Sequence, residues 1–61
     1  MIKQVIRFVD GTYWKCYQHT TTDVKEAWTF NKVSGAEHTC LINGLTNYTI
    51  VPVEVIFALL A

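Results

Sequence analysis

The run from Tyr48 to Val55 limits the folds open to this chain more than any other stretch. Tyr48, Thr49, Ile50, Val51, Val53 and Val55 are β-branched or aromatic, the residue types that suit a pleated, half-buried surface. Pro52 interrupts them. It has no N–H to give to a ladder, so a strand containing it belongs at a sheet edge or carries a bulge. Val51, Val53 and Val55 share one parity and make an unbroken apolar side, expected to be core. Ile50, Pro52, Glu54 and Ile56 make the other parity, with Ile50 expected on an open face. Apolar character continues through Ile56, Phe57, Ala58, Leu59, Leu60 and Ala61, as more strand or as a short helix. A chain of 61 residues cannot readily hide so much. Chains this short bury only about 60% of their unfolded surface. Surplus apolar patches usually mark association sites. Ile56, Phe57, Leu59 and Leu60 are therefore expected to mediate self-association, and a twofold homodimer is the commonest form.

The chain opens with a second legible strand. Ile2, Ile6 and Phe8 share one parity and Lys3 and Arg7 the other, the alternation of a half-buried strand. Asp10-Gly11 turns it, and Thr12 to Tyr17 returns. A two-residue turn would leave both faces mixed. A three-residue loop of Val9, Asp10 and Gly11, with Gly11 left-handed in a bulge, pairs Phe8 with Thr12 and Ile6 with Trp14. Ile2, Ile6, Phe8, Trp14 and Cys16 then share one face, and Lys3, Val5, Arg7, Tyr13, Lys15 and Tyr17 the other. A slip of one residue exchanges the faces, so the apolar pattern selects the bulged turn.

Gln18 to Thr22 reads as a polar loop. Asp23 and Glu26 form a capping box for one or two helical turns, with Trp28 and Phe30 as core anchors beneath the sheet. Ser34-Gly35-Ala36-Glu37 is a second capping box. It opens a helix whose apolar face is Val33, Ala36, Cys40 and Leu41 and which stops at Asn43-Gly44. The third strand follows. A right-handed crossover places the first strand between the second and third. The expected fold is α+β in one domain over residues 1–61. It has a three-stranded antiparallel or mixed sheet, ββαβ in order 2-1-3. One short and one medium helix lie on one face, and the other face is open.

The candidate chemistry is thin. Cys16-x-x-His19 has a spacing that suits zinc, but His38-x-Cys40 on a helix points its two groups apart, so no metal site is expected. Neither cysteine has an electropositive setting beyond Lys15, and no third group is placed to orient a Cys–His pair. Gly11, Gly35 and Gly44 each serve a turn or a cap, and none belongs to a phosphate-binding loop. The sequence therefore points away from an enzyme and from any cofactor. Lys and Arg number five and Asp and Glu five, a balance that argues against bulk electrostatic binding to nucleic acid or membrane. The N-terminal residues lack the pattern of a secretory signal, and the apolar C-terminal run falls short of the roughly 20 residues a membrane helix needs. A cytoplasmic protein with reduced thiols is expected.

Arg7, Tyr13, Lys15 and Tyr17 remain as a cluster on the open face. Aromatic residues and Arg carry much of the energy of protein interfaces. They also hold single-stranded nucleic acid, by stacking and phosphate contact, which is the second reading of this face. Balanced charge favours a protein partner.

Taken together, the alternating strand with its tight turn before Tyr13, Ala27-Trp28-Thr29-Phe30-Asn31, the Ala36-Glu37 helix and the strand Tyr48 to Val55 resemble short uncharacterised proteins encoded by phages and prophages of Gram-positive bacteria. The tail after Val55 departs from that pattern. The resemblance implies a small protein of the bacterial host cytoplasm. It would bind and inhibit a host or antiviral-defence protein. It carries no functional residues over.

Overall fold

In the computed structural model, residues 2–17 and 19–54 are described. Val55 and the self-association residues Ile56, Phe57, Leu59 and Leu60 lie outside them. The elements are β1 (Ile2–Phe8), β2 (Tyr13–Cys16), β3 (His19–Thr21), a 3-10 turn (Val24–Glu26), α1 (Val33–Asn43) and β4 (Tyr48–Glu54). The sheet runs β3-β2-β1-β4, with each neighbouring pair antiparallel. The α+β class stands, and the three expected strands lie in the order 2-1-3. Two details change: the sheet gains a fourth strand at one edge, and the first expected helix is a single 3-10 turn.

The hairpin takes the bulged form. Arg7 lies opposite Tyr13. The Phe8 N–H donates to the Thr12 carbonyl at 2.8 Å, and the Gly11 N–H donates to the Phe8 carbonyl at 3.0 Å. Gly11 has φ +90°, the left-handed region that this loop demands and glycine tolerates. Asp10 locks the turn, its Oδ1 accepting from the Thr12 N–H at 3.0 Å and from Thr12 Oγ1 at 2.6 Å.

The additional strand comes from the stretch expected to be loop. Thr20 and Thr21 are β-branched and pair with Trp14 and Tyr13. The register shifts between Trp14 and Cys16, and Tyr17 takes φ +49° to turn the chain. The Trp14 indole N–H closes this turn by donating to the Tyr17 carbonyl at 2.7 Å.

Beyond Trp14 a later segment bonds to both strands. The Trp28 N–H donates to the Trp14 carbonyl at 3.1 Å, and Phe30 exchanges two 2.8 Å bonds with Gln4 on β1. The Asp23 side chain accepts from the Lys25 N–H at 3.0 Å, but Glu26 does not close a capping box. It accepts from Thr21 Oγ1 at 3.1 Å, tying the 3-10 turn to β3.

The helix begins earlier than its capping box suggests. Phe30 is fixed to β1, and only Asn31 and Lys32 remain for the chain to turn in. Lys32 is the cap, without a side-chain bond, and Ser34 is exposed inside the first turn. The stop is as expected: Gly44 has φ +64°, and its N–H reaches the Cys40 and Leu41 carbonyls.

Ile6, Trp14, Ala36 and Cys40 form the core, with Phe8, Phe30, Leu45, Tyr48 and Ile50 packed against it. The helix contributes its two small residues. Leu41 is 81% exposed and Val33 44%, so the expected apolar helix face narrows to Ala36 and Cys40. Trp28 is 56% exposed and is no core anchor, whereas Phe30 is one.

β4 reverses the expected parity. It pairs with β1 so that Ile50 lies opposite Ile6 and Tyr48 opposite Phe8. Those residues face the helix. Val51 and Val53, expected as core beneath it, lie with Val5 on the far side and are half-buried there. Pro52 occupies an edge strand, as its chemistry requires. The N–H and C=O of Gln4 both turn toward Phe30, so Pro52 opposite it forms a wide pair whose own groups point outward. The missing donor costs β1 nothing.

Two outcomes follow. Gly35 is helical, and a methyl added there would meet Phe30 at an ordinary 3.9 Å. Gly35→Ala should therefore stabilise the fold by about 0.5–1 kcal/mol, seen as a rise in thermal midpoint. The Asp10 carboxyl is held below its usual value by its bonds to the Thr12 hydroxyl and N–H. A lowered carboxyl contributes stability above its unfolded value, and that stability is lost as pH falls through the folded one. Acid titration of Asp10→Asn should show less loss of stability below about pH 4 than wild type.

Candidate functional site

The far side of the sheet is organised by its central strand. Lys3, Val5 and Arg7 of β1 alternate away from the helix. Tyr13 and Lys15 of β2 join them, as do Thr49, Val51 and Val53 of β4. Val5 is fully buried, Val51 and Val53 are half-buried, and Arg7 and Lys15 are exposed. Val5 is thus covered within the chain, and Val51 and Val53 are the accessible apolar residues beside the cations. Among the described residues, no acidic one occupies a strand position on this face. Asp10 sits in the hairpin turn, Asp23 and Glu26 at the 3-10 turn, and Glu37 on α1. Glu54 has the helix-facing parity of β4. Glu26 nevertheless reaches the margin of this face, its carboxylate accepting from Thr21 Oγ1 beside Tyr13.

Arg7 lies directly across from a half-buried Tyr13, and Lys15 follows on β2 within the register shift. The Lys3 ammonium donates to Asn31 Oδ1. Tyr17 leaves the group. The register shift after Trp14 breaks the alternation, and Tyr17 instead borders a hollow of about 250 Å³ with Trp14, Cys16, Trp28 and Asn43. Tyr17 is 77% exposed there. The rings of Trp14 and Trp28 meet edge to face at 6.5 Å, and Trp14 stacks on Phe30 at 6.2 Å. Ile50, expected on the open face, packs against the core instead.

A third surface lies between α1 and β4. It is a shallow groove of about 620 Å³, lined by Val33, Cys40, Leu41, Leu45, Tyr48 and Ile50 among others. Sequence reasoning passed over this groove, and it also missed the exposure of Trp28, Leu41 and Ile42. One signal was available. Leu41 and Ile42 are consecutive on a helix, and a stripe as narrow as Ala36 and Cys40 cannot bury both.

The groups for chemistry are scattered. Cys16 lies opposite His19 across the β2–β3 turn, while His38 is exposed and Cys40 is buried. Among the described residues, no three His, Cys, Asp or Glu side chains converge as metal ligands would. Burial pushes the Cys40 thiol above its ordinary value, the opposite of what a nucleophile needs. The Tyr48 hydroxyl, bonded to Cys40, is raised in turn. Among the described residues, no helix is long and apolar enough to cross a membrane.

Compared with known proteins, the chain has no significant match to a family model, a curated protein or a solved structure.

The two thiols should differ in reactivity. Iodoacetamide followed by mass spectrometry should label the half-buried Cys16 in the native protein at pH 8. Cys40 should be labelled only after denaturation. Equal labelling of both would contradict the burial of Cys40.

Proposed function

We propose that this chain is a non-catalytic protein-binding module that works by covering a surface on its target. The outer sheet face is the contact, and the observation that carries the reading is the cationic character of its strand positions. Lys3, Arg7 and Lys15 share this side of the sheet with the half-buried Val51 and Val53, and no acidic residue is among its described strand positions. Such a face suits an acidic protein surface that also carries apolar residues. Interface energy concentrates where Arg and aromatic side chains are desolvated, and Arg7 with Tyr13 supplies that pair. The resemblance to small phage proteins gives the reading its concrete form: an inhibitor of a host or antiviral-defence protein, acting in the bacterial cytoplasm, as a homodimer.

Single-stranded nucleic acid is the weaker reading of the same face. Non-specific binding of single strands uses successive aromatic platforms along a basic groove. With Tyr17 turned toward Trp28, Tyr13 is the one aromatic residue among the described positions of this face.

Affinity capture from a bacterial lysate tests the proposal, with wild type beside an Arg7→Glu, Lys15→Glu double variant. Both positions are exposed, so the variant should fold. The expected result is an acidic protein retained by wild type and released by the variant. Oligonucleotide titration at low and high salt runs in parallel. Salt-sensitive oligonucleotide binding that is lost in the same variant would replace the protein-binding reading with the nucleic-acid one.

A further inference from the structure

We infer that the edge of β4 left uncovered by any described strand, with the groove beside it, is where a second copy of this chain docks. The inference deepens the homodimer proposed above and rests on it. It moves the contact from the C-terminal residues to the sheet edge.

Backbone bonding supplies the first argument. Gln4 turns both its N–H and its C=O to Phe30, and Phe8 turns its own to Thr12 and Gly11. Tyr48 and Ile50 lie opposite Phe8 and Ile6, in the same set of wide pairs as Pro52. Their N–H and C=O groups therefore point away from β1, to the edge that no described strand covers. An open edge of this kind is a template for another strand. β4 is seven residues long, against three for β3 at the opposite edge, so it is the better template.

The strand also complements itself. A twofold axis through Ile50, perpendicular to the sheet, lets Ile50 exchange both backbone bonds with Ile50 of the second copy. Tyr48 then lies opposite Pro52 of the second copy, its N–H donating to the proline carbonyl. Two bonds are forfeited, one for each proline that has no N–H to donate. The Tyr48 and Pro52 side chains share the helix-facing side, where aromatic and proline rings stack well. The chain turns at Asn47, which has φ +56°, so Glu54, the one charged residue of β4, falls beyond the paired stretch and opposite no second carboxylate. With a net charge of zero, the two copies carry no overall repulsion.

The same axis keeps both helices on one face of the joined sheet. Leu41 stands at the rim of the groove formed by Val33, Cys40, Leu45, Tyr48 and Ile50, and it is 81% exposed. Each Leu41 faces the groove of the other copy, which gives its exposure a purpose.

Sedimentation at tens of micromolar, with hydrogen exchange, tests the assignment on the full chain. Wild type should be a dimer, with the Tyr48 and Ile50 amides more protected as concentration rises. Leu41→Glu should weaken association at least tenfold while leaving the circular dichroism unchanged, since the side chain is exposed. Pro52→Val restores the missing donor and should tighten association several-fold. Phe57→Ser with Leu59→Ser should leave it unaltered. A wild-type monomer would overturn both the homodimer and this edge. A dimer that survives Leu41→Glu, leaves those two amides unprotected and dissociates with the Phe57 and Leu59 changes would overturn the edge alone.

Discussion

The exchange of backbone bonds between Gln4 and Phe30 is the constraint on which the other elements depend. β2 is short, and its register shifts after Trp14. Without a replacement partner, the Gln4 amide and carbonyl would face the interior of the sheet unpaired, at a cost of about 1–3 kcal/mol for each buried group. Phe30 supplies both bonds at 2.8 Å, and the same stretch reaches β2 through Trp28 and Trp14. Phe30 is thereby stacked on Trp14, the helix starts where Lys32 can turn, and Ala36 arrives one turn later against Ile6. Because Gln4 looks toward Phe30, Pro52 looks outward. One pair of hydrogen bonds thus sets the core and the character of the far edge.

The small core has consequences for the surface. The helix meets the sheet through Ala36 and Cys40, side chains short enough to let the two layers approach closely. Larger residues at those positions would fill more volume but hold the layers apart. The cost is that Leu41, Ile42 and Val33 find no place inside. A protein of this size has few ways to use such residues other than to cover them with another chain. The exposed side chains and the narrow core are two sides of one packing decision.

Much of this was legible in the sequence, for identifiable reasons. The bulged hairpin could be read because only one register gathers Ile6, Phe8 and Trp14 on a face. The strand order followed from the handedness of a crossover, and the helix stop from Asn43-Gly44. What failed were patterns with two equal solutions. In β4, Tyr48 and Ile50 are as apolar as Val51 and Val53, so alternation could not say which set meets the helix. The decision lies in pairing with β1, where the Val9 N–H reaches the Asn47 carbonyl at 3.0 Å and fixes Tyr48 opposite Phe8. His19 to Thr21 looked like loop because its residues are polar, yet an exposed edge strand needs no apolar side.

The candidate site was legible by strand parity and failed where parity failed. Arg7 and Tyr13 precede the register shift and stay paired, while Lys15 falls within it. Tyr17 follows the shift and goes to the other surface. The separation matters because it divides two kinds of recognition that the sequence had merged. The outer face keeps Arg7 and Lys15 with Tyr13, the one aromatic residue among its described strand positions. The hollow beside Trp28 and Tyr17 keeps aromatic rings without a cation among its lining residues. A ligand needing stacked rings and positive charge together finds them on different surfaces. This division is the reason the outer face is proposed for a broad protein contact and not for a threaded strand of bases.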